Sequence, residues 1–366
     1  MHSRMLISQC AAFTVCVLGL LVGSMPGTAL SAMVSQCCGA VPDENHGAST
    51  ASGQREPGSP GVRLEDDFVM YDSPVSGTLF YLARYPGTVY VADPRRKTNT
   101  PLLQDAYDGL QGNFDISADG QKIVVALLHH GGWDVAWGQI REGQRTAVEI
   151  VTSTADRDED PRWVPGSEKV VFKRNNGIAI LDLGTRRVDE VSPYGGLEKW
   201  APAVSSDGQW LAVTEGDASH RSASPSRLLL MNFLDGQRFT IATNQPLWFP
   251  AFKANGDLLY VVHTRNCDDQ VYLIQWRRRP VPEGKHLMPL GSCSGGEADP
   301  SVVKGDDAYV VFVSPRAGRY GVYIHNQSKG RAALLLAHGT RDLLAPQFLA
   351  RGDDVADLRA IPSANH

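Results

Sequence analysis

Five prolines, Pro161, Pro202, Pro250, Pro300 and Pro346, recur along the chain 41, 48, 50 and 46 residues apart, and each opens the same succession of features. After Asp160 the chain reads Pro161-Arg162-Trp163, a turn at Val164-Pro165-Gly166-Ser167, and an apolar run from Lys169 to Arg174. A break at Asn175-Asn176-Gly177 follows, then a second run from Ile178 to Leu183, another turn, and a last run from Val188 to Pro193. The other four prolines open segments ending in a bulky apolar residue, Val204, Phe252, Val302 or Phe348, and a copy without the proline begins at Phe114. Short apolar runs bounded by turn-forming residues are strands. Four strands in a period of roughly 40–50 residues is the pattern of propeller blades, because one such sheet cannot bury both faces without a neighbour on each side.

The turns agree independently of the prolines. Gly120, Gly166, Gly208, Gly256, Gly305 and Gly352 each close the link between a first and a second strand, where glycine adopts positive φ at least cost. The two ends of the repeat region complement each other. Leu79 to Arg84 and Val89 to Ala92 read as second and third strands with no first strand before them, while Pro346-Gln347-Phe348 reads as a first strand with nothing after it. Five full copies and this composite predict an all-β, six-bladed β-propeller of four-stranded blades, closed by the C-terminal strand, which removes a sheet edge. Length alone would allow one to three domains; the repeat assigns residues 64–366, with a short C-terminal tail, to one.

Residues 1–32 read as a signal peptide. The apolar run from Ala11 to Val22 is short against the about 20 residues of a membrane span, and Ala29-Leu30-Ser31 offers the small residues of a cleavage site. The competing reading is a retained N-terminal anchor. Residues 33–63 are rich in Pro, Gly, Ser and Ala and predict a flexible tether. The expectation is a periplasmic or secreted protein with no membrane span after leader removal. Val34-Ser35-Gln36-Cys37 is similar to a lipobox that would anchor Cys37 to lipid, but Gln36 stands where a small residue is expected.

The turns Ser117-Ala118-Asp119-Gly120 and Ser205-Ser206-Asp207-Gly208, and the strand Gly177-Ile178-Ala179-Ile180-Leu181-Asp182-Leu183, resemble the repeat of the TolB-like propeller family. The resemblance covers nearly everything after Leu64. It implies the fold more than the activity, since propellers of this kind include periplasmic scaffolds, companions of serine peptidases and a few lyases. The family's namesake carries an α/β domain before its propeller; here only the tether is expected in that place.

Propeller topology puts the links entering each first strand on one face with the second-to-third-strand links, and this channel face is where propellers usually hold ligands. The entering links are acidic: Asp156, Asp158, Glu159 and Asp160 in one, Glu297 and Asp299 in another, with Glu198 and Asp342 elsewhere. Such carboxylates could attract a cationic partner or hold a divalent cation, although no cofactor is expected and no metal motif is present. Trp200 and Trp248 on the same face could stack on a sugar or a peptide. His129, His130 and His220 are the candidate catalytic groups, but in His129-His130-Gly131-Gly132 adjacent side chains diverge unless a turn turns them together. Cys267 and Cys293 fall in channel-face links of one blade and predict a disulfide stabilising by roughly 3 kcal/mol.

Several chemistries are disfavoured. A net charge of −5 with dispersed Lys and Arg gives no basis for nucleic-acid binding. Gly291-Ser292-Cys293-Ser294-Gly295 is similar to a nucleophile elbow but lacks the strand-to-helix context. The leading expectation is therefore a binding or scaffold module for an envelope or extracellular protein, a peptide or a small polar ligand. The alternative is a lyase or hydrolase acting on a saccharide or peptide.

Overall fold

The computed structural model describes residues 61–64, 67–83, 87–103, 110–192, 195–217, 226–242, 246–262, 270–277, 285–286 and 298–351. They form twenty-six strands, β1 to β26 in chain order. After β1 (Val62–Arg63) and β2 (Phe68–Met70), blade 1 takes β3 (Gly77–Ala83), β4 (Thr88–Asp93) and β5 (Thr98–Pro101). Blade 2 is β6 (Leu110–Ile116), β7 (Lys122–His129), β8 (Gly132–Gln139) and β9 (Glu149–Ile150). Blade 3 is β10 (Asp158–Val164), β11 (Lys169–Arg174), β12 (Gly177–Asp182) and β13 (Val188–Ser192). Blade 4 is β14 (Glu198–Val204), β15 (Trp210–Gly216), β16 (Arg227–Asn232) and β17 (Arg238–Ala242). Blade 5 is β18 (Leu247–Phe252), β19 (Leu258–Val262), β20 (Gln270–Ile274) and β21 (Lys285–His286). Blade 6 is β22 (Ala298–Val302), β23 (Tyr309–Ser314), β24 (Gly321–Asn326) and β25 (Arg331–His338), and β26 (Leu343–Ala350) ends the described chain.

The C-terminal strand closes the ring. β26 is the first strand of blade 1, pairing antiparallel with β3 from Leu343↔Ala83 to Ala350↔Gly77, so that sheet is ordered β26-β3-β4-β5. One feature differs from the expected four-stranded plan. β2 adds to β25 with Phe68 opposite His338, and β1 adds to β2, so blade 6 carries six strands, ordered β1-β2-β25-β24-β23-β22. Phe68 secures this addition by burying its ring against Tyr90 at 5.2 Å and His338 at 4.5 Å.

Apolar clusters fill the spaces between successive blades. Val124, Trp163 and Phe172 join blades 2 and 3; Val171, Leu211 and Val213 join 3 and 4; Phe348, Tyr81 and Val311 join 6 and 1. Phe172 and Phe312 are fully buried, each contributing on the order of 2 kcal/mol of transfer free energy. A blade alone would leave this surface wet, so the ring is one cooperative unit by construction.

The repeat prolines mark a bulge in the innermost strand. Asp160, Ala201, Phe249, Asp299 and Ala345, each immediately before a proline, have φ between 46° and 52°, and the pairing register shifts at each of them. Proline has no N–H to give the ladder, so the strand ejects one residue there and resumes. The bulges also couple blades. Asp160 Oδ2 accepts the Ala201 N–H at 3.1 Å, and Asp299 Oδ2 accepts the Ala345 N–H at 3.1 Å. In both cases the acid at one bulge satisfies the backbone of the next blade's bulge.

At the other end of the inner strands the turns repeat a polar clamp. Asp119 accepts hydrogen bonds from the Ser117 hydroxyl and the Gln121 N–H, and Asp207 does the same with Ser205 and Gln209, around Gly120 and Gly208 at φ 73° and 69°. Nearby, Lys304 of blade 6 reaches Asp115 of blade 2 at 3.3 Å and Gln347 of blade 1 at 3.3 Å, and Asp115 also accepts the Trp163 N–H at 2.9 Å. Side chains of blades 6, 2 and 1 and a backbone N–H of blade 3 thus meet.

Candidate functional site

The acidic entry to blade 3 is folded into an ionic network. β10 and β11 are antiparallel with Asp158 opposite Arg174 and Glu159 opposite Lys173, so the charges that flank the apolar run of β11 meet the carboxylates that begin β10. Arg174 grips Asp158 with two hydrogen bonds, 2.9 and 2.8 Å, while its guanidinium lies 5.3 Å from the centre of the Phe172 ring. The bond to Asp158, opposed by desolvation, raises the Arg174 pKa above its ordinary value.

Lys173 is 3% exposed and sits between Glu159 at 3.1 Å and Glu198 of blade 4 at 2.8 Å, both also buried. Arg157 adds a second cation to Glu159 at 2.7 Å. The chain continues through buried Lys199, 3.4 Å from Glu215, which Arg227 meets at 2.7 Å. Ions held this far from water are costly unless each is matched, and here each carboxylate has a cationic or backbone partner. Asp160, in the bulge, bonds Ala201 N and Asn113 Nδ2, the latter at 2.6 Å. The arrangement is a stiff, internally neutralised rim. Among the described residues no group of three or more His, Cys, Asp or Glu is set to hold a metal ion.

Trp200 and Trp248 come together, ring centroids 5.6 Å apart, but both are buried in the cluster that includes Phe312 and Tyr323. Their faces are packed against the core. Asp299 is occupied at its bulge. His220, Glu297, Cys267, Cys293 and Cys37 lie outside the described residues.

Blade 2 presents a different corner of the same face. The hairpin from β7 to β8 turns through His130 at φ 48° and Gly131 at φ 84°, with His129 opposite Gly132. Positive φ at both central residues is a type I′ turn, the geometry that suits the twist of a two-residue hairpin. It turns the adjacent imidazoles toward each other, with centroids 3.9 Å apart. His129 Nδ1 lies 3.2 Å from Oδ2 of Asp134, which is 2% exposed; Asp134 Oδ1 accepts the Thr152 hydroxyl at 3.2 Å, and Thr152 Oγ1 accepts the Val135 N–H at 2.8 Å. Beside it, Leu128 is 44% exposed and pairs with the partly exposed Trp133.

The network partners Lys173, Arg174 and Arg227 and the orienting pair Asp134 and Thr152 were not among the expected site residues. A partial signal for the first two was present: counting back across the Gly166 turn sets Lys173 and Arg174 against the acidic run, at Asp160 and Glu159, and the bulge moves them by one residue onto Glu159 and Asp158. Thr152, eighteen positions from Asp134, has no such local cue.

Comparison with solved structures identifies the architecture. TolB from Acinetobacter baumannii superposes with a TM-score of 0.60 at 16% identity, over 76% of this chain and 68% of that one. This chain has the TolB-like propeller fold. A TolB-type structure from Agrobacterium tumefaciens matches with a TM-score of 0.52 at 11% identity, over 75% of this chain and 99% of that one. The nidogen/laminin complex matches the TolB-like propeller with a TM-score of 0.55 at 9% identity, over 74% of this chain and 97% of the matched one. No protein-family profile matches the sequence, and no curated protein matches it.

Proposed function

We propose that this TolB-like propeller is an exported binding or scaffold module that takes a protein, a peptide or a small polar ligand at its channel face. The observation that carries this reading is the state of the rim. The carboxylates of blades 3 and 4 are buried and engaged by Lys173, Arg174, Arg157 and Arg227, so they brace the channel face rather than present free acid–base groups to a substrate. A face braced from beneath is held in one shape, and a pre-organised surface loses little entropy on association, which favours recognition. The leader-like residues 1–32 support export to the periplasm or beyond. That one structural neighbour is a nidogen/laminin complex supports protein partners in general.

The second reading, a lyase or hydrolase acting on a saccharide or peptide, draws on one feature. His129, oriented by Asp134, keeps a ring nitrogen free to accept a proton from a bound substrate.

Site-directed photo-crosslinking in the native compartment separates these readings. A photoreactive residue at Trp133, on the channel face, should capture one discrete partner, while the same probe at Leu234, 77% exposed in the β16–β17 turn of the opposite face, should not. Equal capture at both positions would contradict the binding reading. Turnover of a saccharide or peptide that is lost on His129→Ala would favour the enzyme.

A further inference from the structure

We propose that His129 and His130 form a two-imidazole anchor for a borderline divalent transition-metal ion such as Zn²⁺, Cu²⁺ or Ni²⁺, independently of which ligand the channel face takes. Three observations converge on this corner of blade 2.

The first is orientation. Asp134 is buried within β8 and bonded through Oδ1 to Thr152, so its Oδ2 is left for the His129 Nδ1–H. A carboxylate on one imidazole nitrogen fixes the tautomer and makes the other nitrogen, here Nε2, a better electron-pair donor; this is the outer-sphere support found behind metal-ligating histidines. Thr152 is in turn held by the backbone of Val135, which makes the support a chain of three fixed groups.

The second is the turn. The first central position of a type I′ turn favours Asn, Asp or Gly; histidine tolerates positive φ but is not the residue the turn prefers. Its ring is exposed and its contact is with the other imidazole, so the turn itself gains nothing that asparagine would not supply better.

The third is proximity. Two imidazole nitrogens sharing one tetrahedral ion at about 2.0–2.1 Å must stand roughly 3.3 Å apart. In that arrangement the ring centroids stand roughly 5 Å apart, so the two rings, 3.9 Å apart between centroids on the turn, open by about 1 Å through rotation of the exposed His130 side chain. Imidazole selects zinc, copper and nickel, whereas magnesium and calcium prefer oxygen. With two protein ligands the remaining positions of the ion face solvent and belong to water or to a donor group on whatever docks at the channel face.

The test uses the untagged full chain and titration calorimetry with ZnCl₂. His130→Asn preserves the turn chemistry, and its melting temperature should equal or exceed that of the parent, which certifies the fold. It should weaken Zn²⁺ binding tenfold or more, as should His129→Ala, and a millimolar excess of Mg²⁺ should not displace Zn²⁺. Cu²⁺ electron paramagnetic resonance should show two imidazole nitrogens in the parent and one in His130→Asn. Binding weakened less than tenfold by His130→Asn, an unchanged nitrogen count, or displacement by Mg²⁺ would overturn the proposal. Comparison with the parent cancels binding by the cysteines, which both proteins share.

Discussion

Replacing Lys173 with methionine would leave Glu159 and Glu198 buried and facing each other across the seam of blades 3 and 4. Breaking a buried ion pair from one side exposes the desolvation cost of the other, typically about 3–5 kcal/mol. Lys173→Met should therefore destabilise the protein by that amount in urea unfolding, and adding Glu159→Gln with Glu198→Gln should restore most of it; a loss below about 1 kcal/mol would show that the network is solvated. At this scale the acidic residues were visible in the sequence as a group, with Arg157 and Lys199 close by, but the cross-strand partners Lys173 and Arg174 were not. Asp158, Glu159 and Asp160 were visible as carboxylates on one link. Whether a carboxylate is free depends on cross-strand register and on the next blade, and Glu198, the second partner of Lys173, is reached only through the closed ring.

Turns and bulges are the elements that give the inner strands their shape. In the Ser117-Ala118-Asp119-Gly120 turn, the Ser117 hydroxyl first, and the Gln121 N–H second, hold the Asp119 pKa below the ordinary carboxylate value. A depressed carboxylate stabilises the fold at pH above its unfolded value, and that contribution is lost as pH falls through the folded value. Asp119→Ala should thus lower the melting temperature near neutral pH, and the difference from the parent should shrink to nothing in strong acid. A difference that grew on acidification would reverse the assignment. The glycines of these turns were legible because positive φ restricts the residue choice. The bulges were not: the prolines were recognised as period markers, yet residues that precede proline ordinarily avoid the helical region, and nothing local announces φ near 50° at Ala201 or Phe249. β1 and β2 were missed for a different reason. They are two and three residues long and have no counterpart in any other blade, so no repeat points to them.

For the whole molecule, the number of blades and the manner of closure followed from the repeat, because a strand missing at one end and a strand left over at the other have a single joint solution. The same topology separates the two faces of the ring, but which of them binds, and what it holds, does not follow from it. Recognition depends on which groups remain uncommitted, and most of the rim's charge is consumed by pairs inside blades 3 and 4, with Lys173 and Glu198 joining the two. At the histidine corner of blade 2 the pairing with Asp134 engages only Nδ1 of His129. The central claim is that blade 1 is completed by β26, the last described strand, pairing with β3, and register makes that directly measurable. Thr78 and Leu349 are opposite one another in β3 and β26. In a background with the six native cysteines replaced by serine, Thr78→Cys with Leu349→Cys should oxidise to a disulfide, since directly opposed antiparallel residues fall within the reach of one. Mass spectrometry should find the two peptides joined in nearly every molecule; two free thiols in the folded protein would contradict closure by the C-terminal strand.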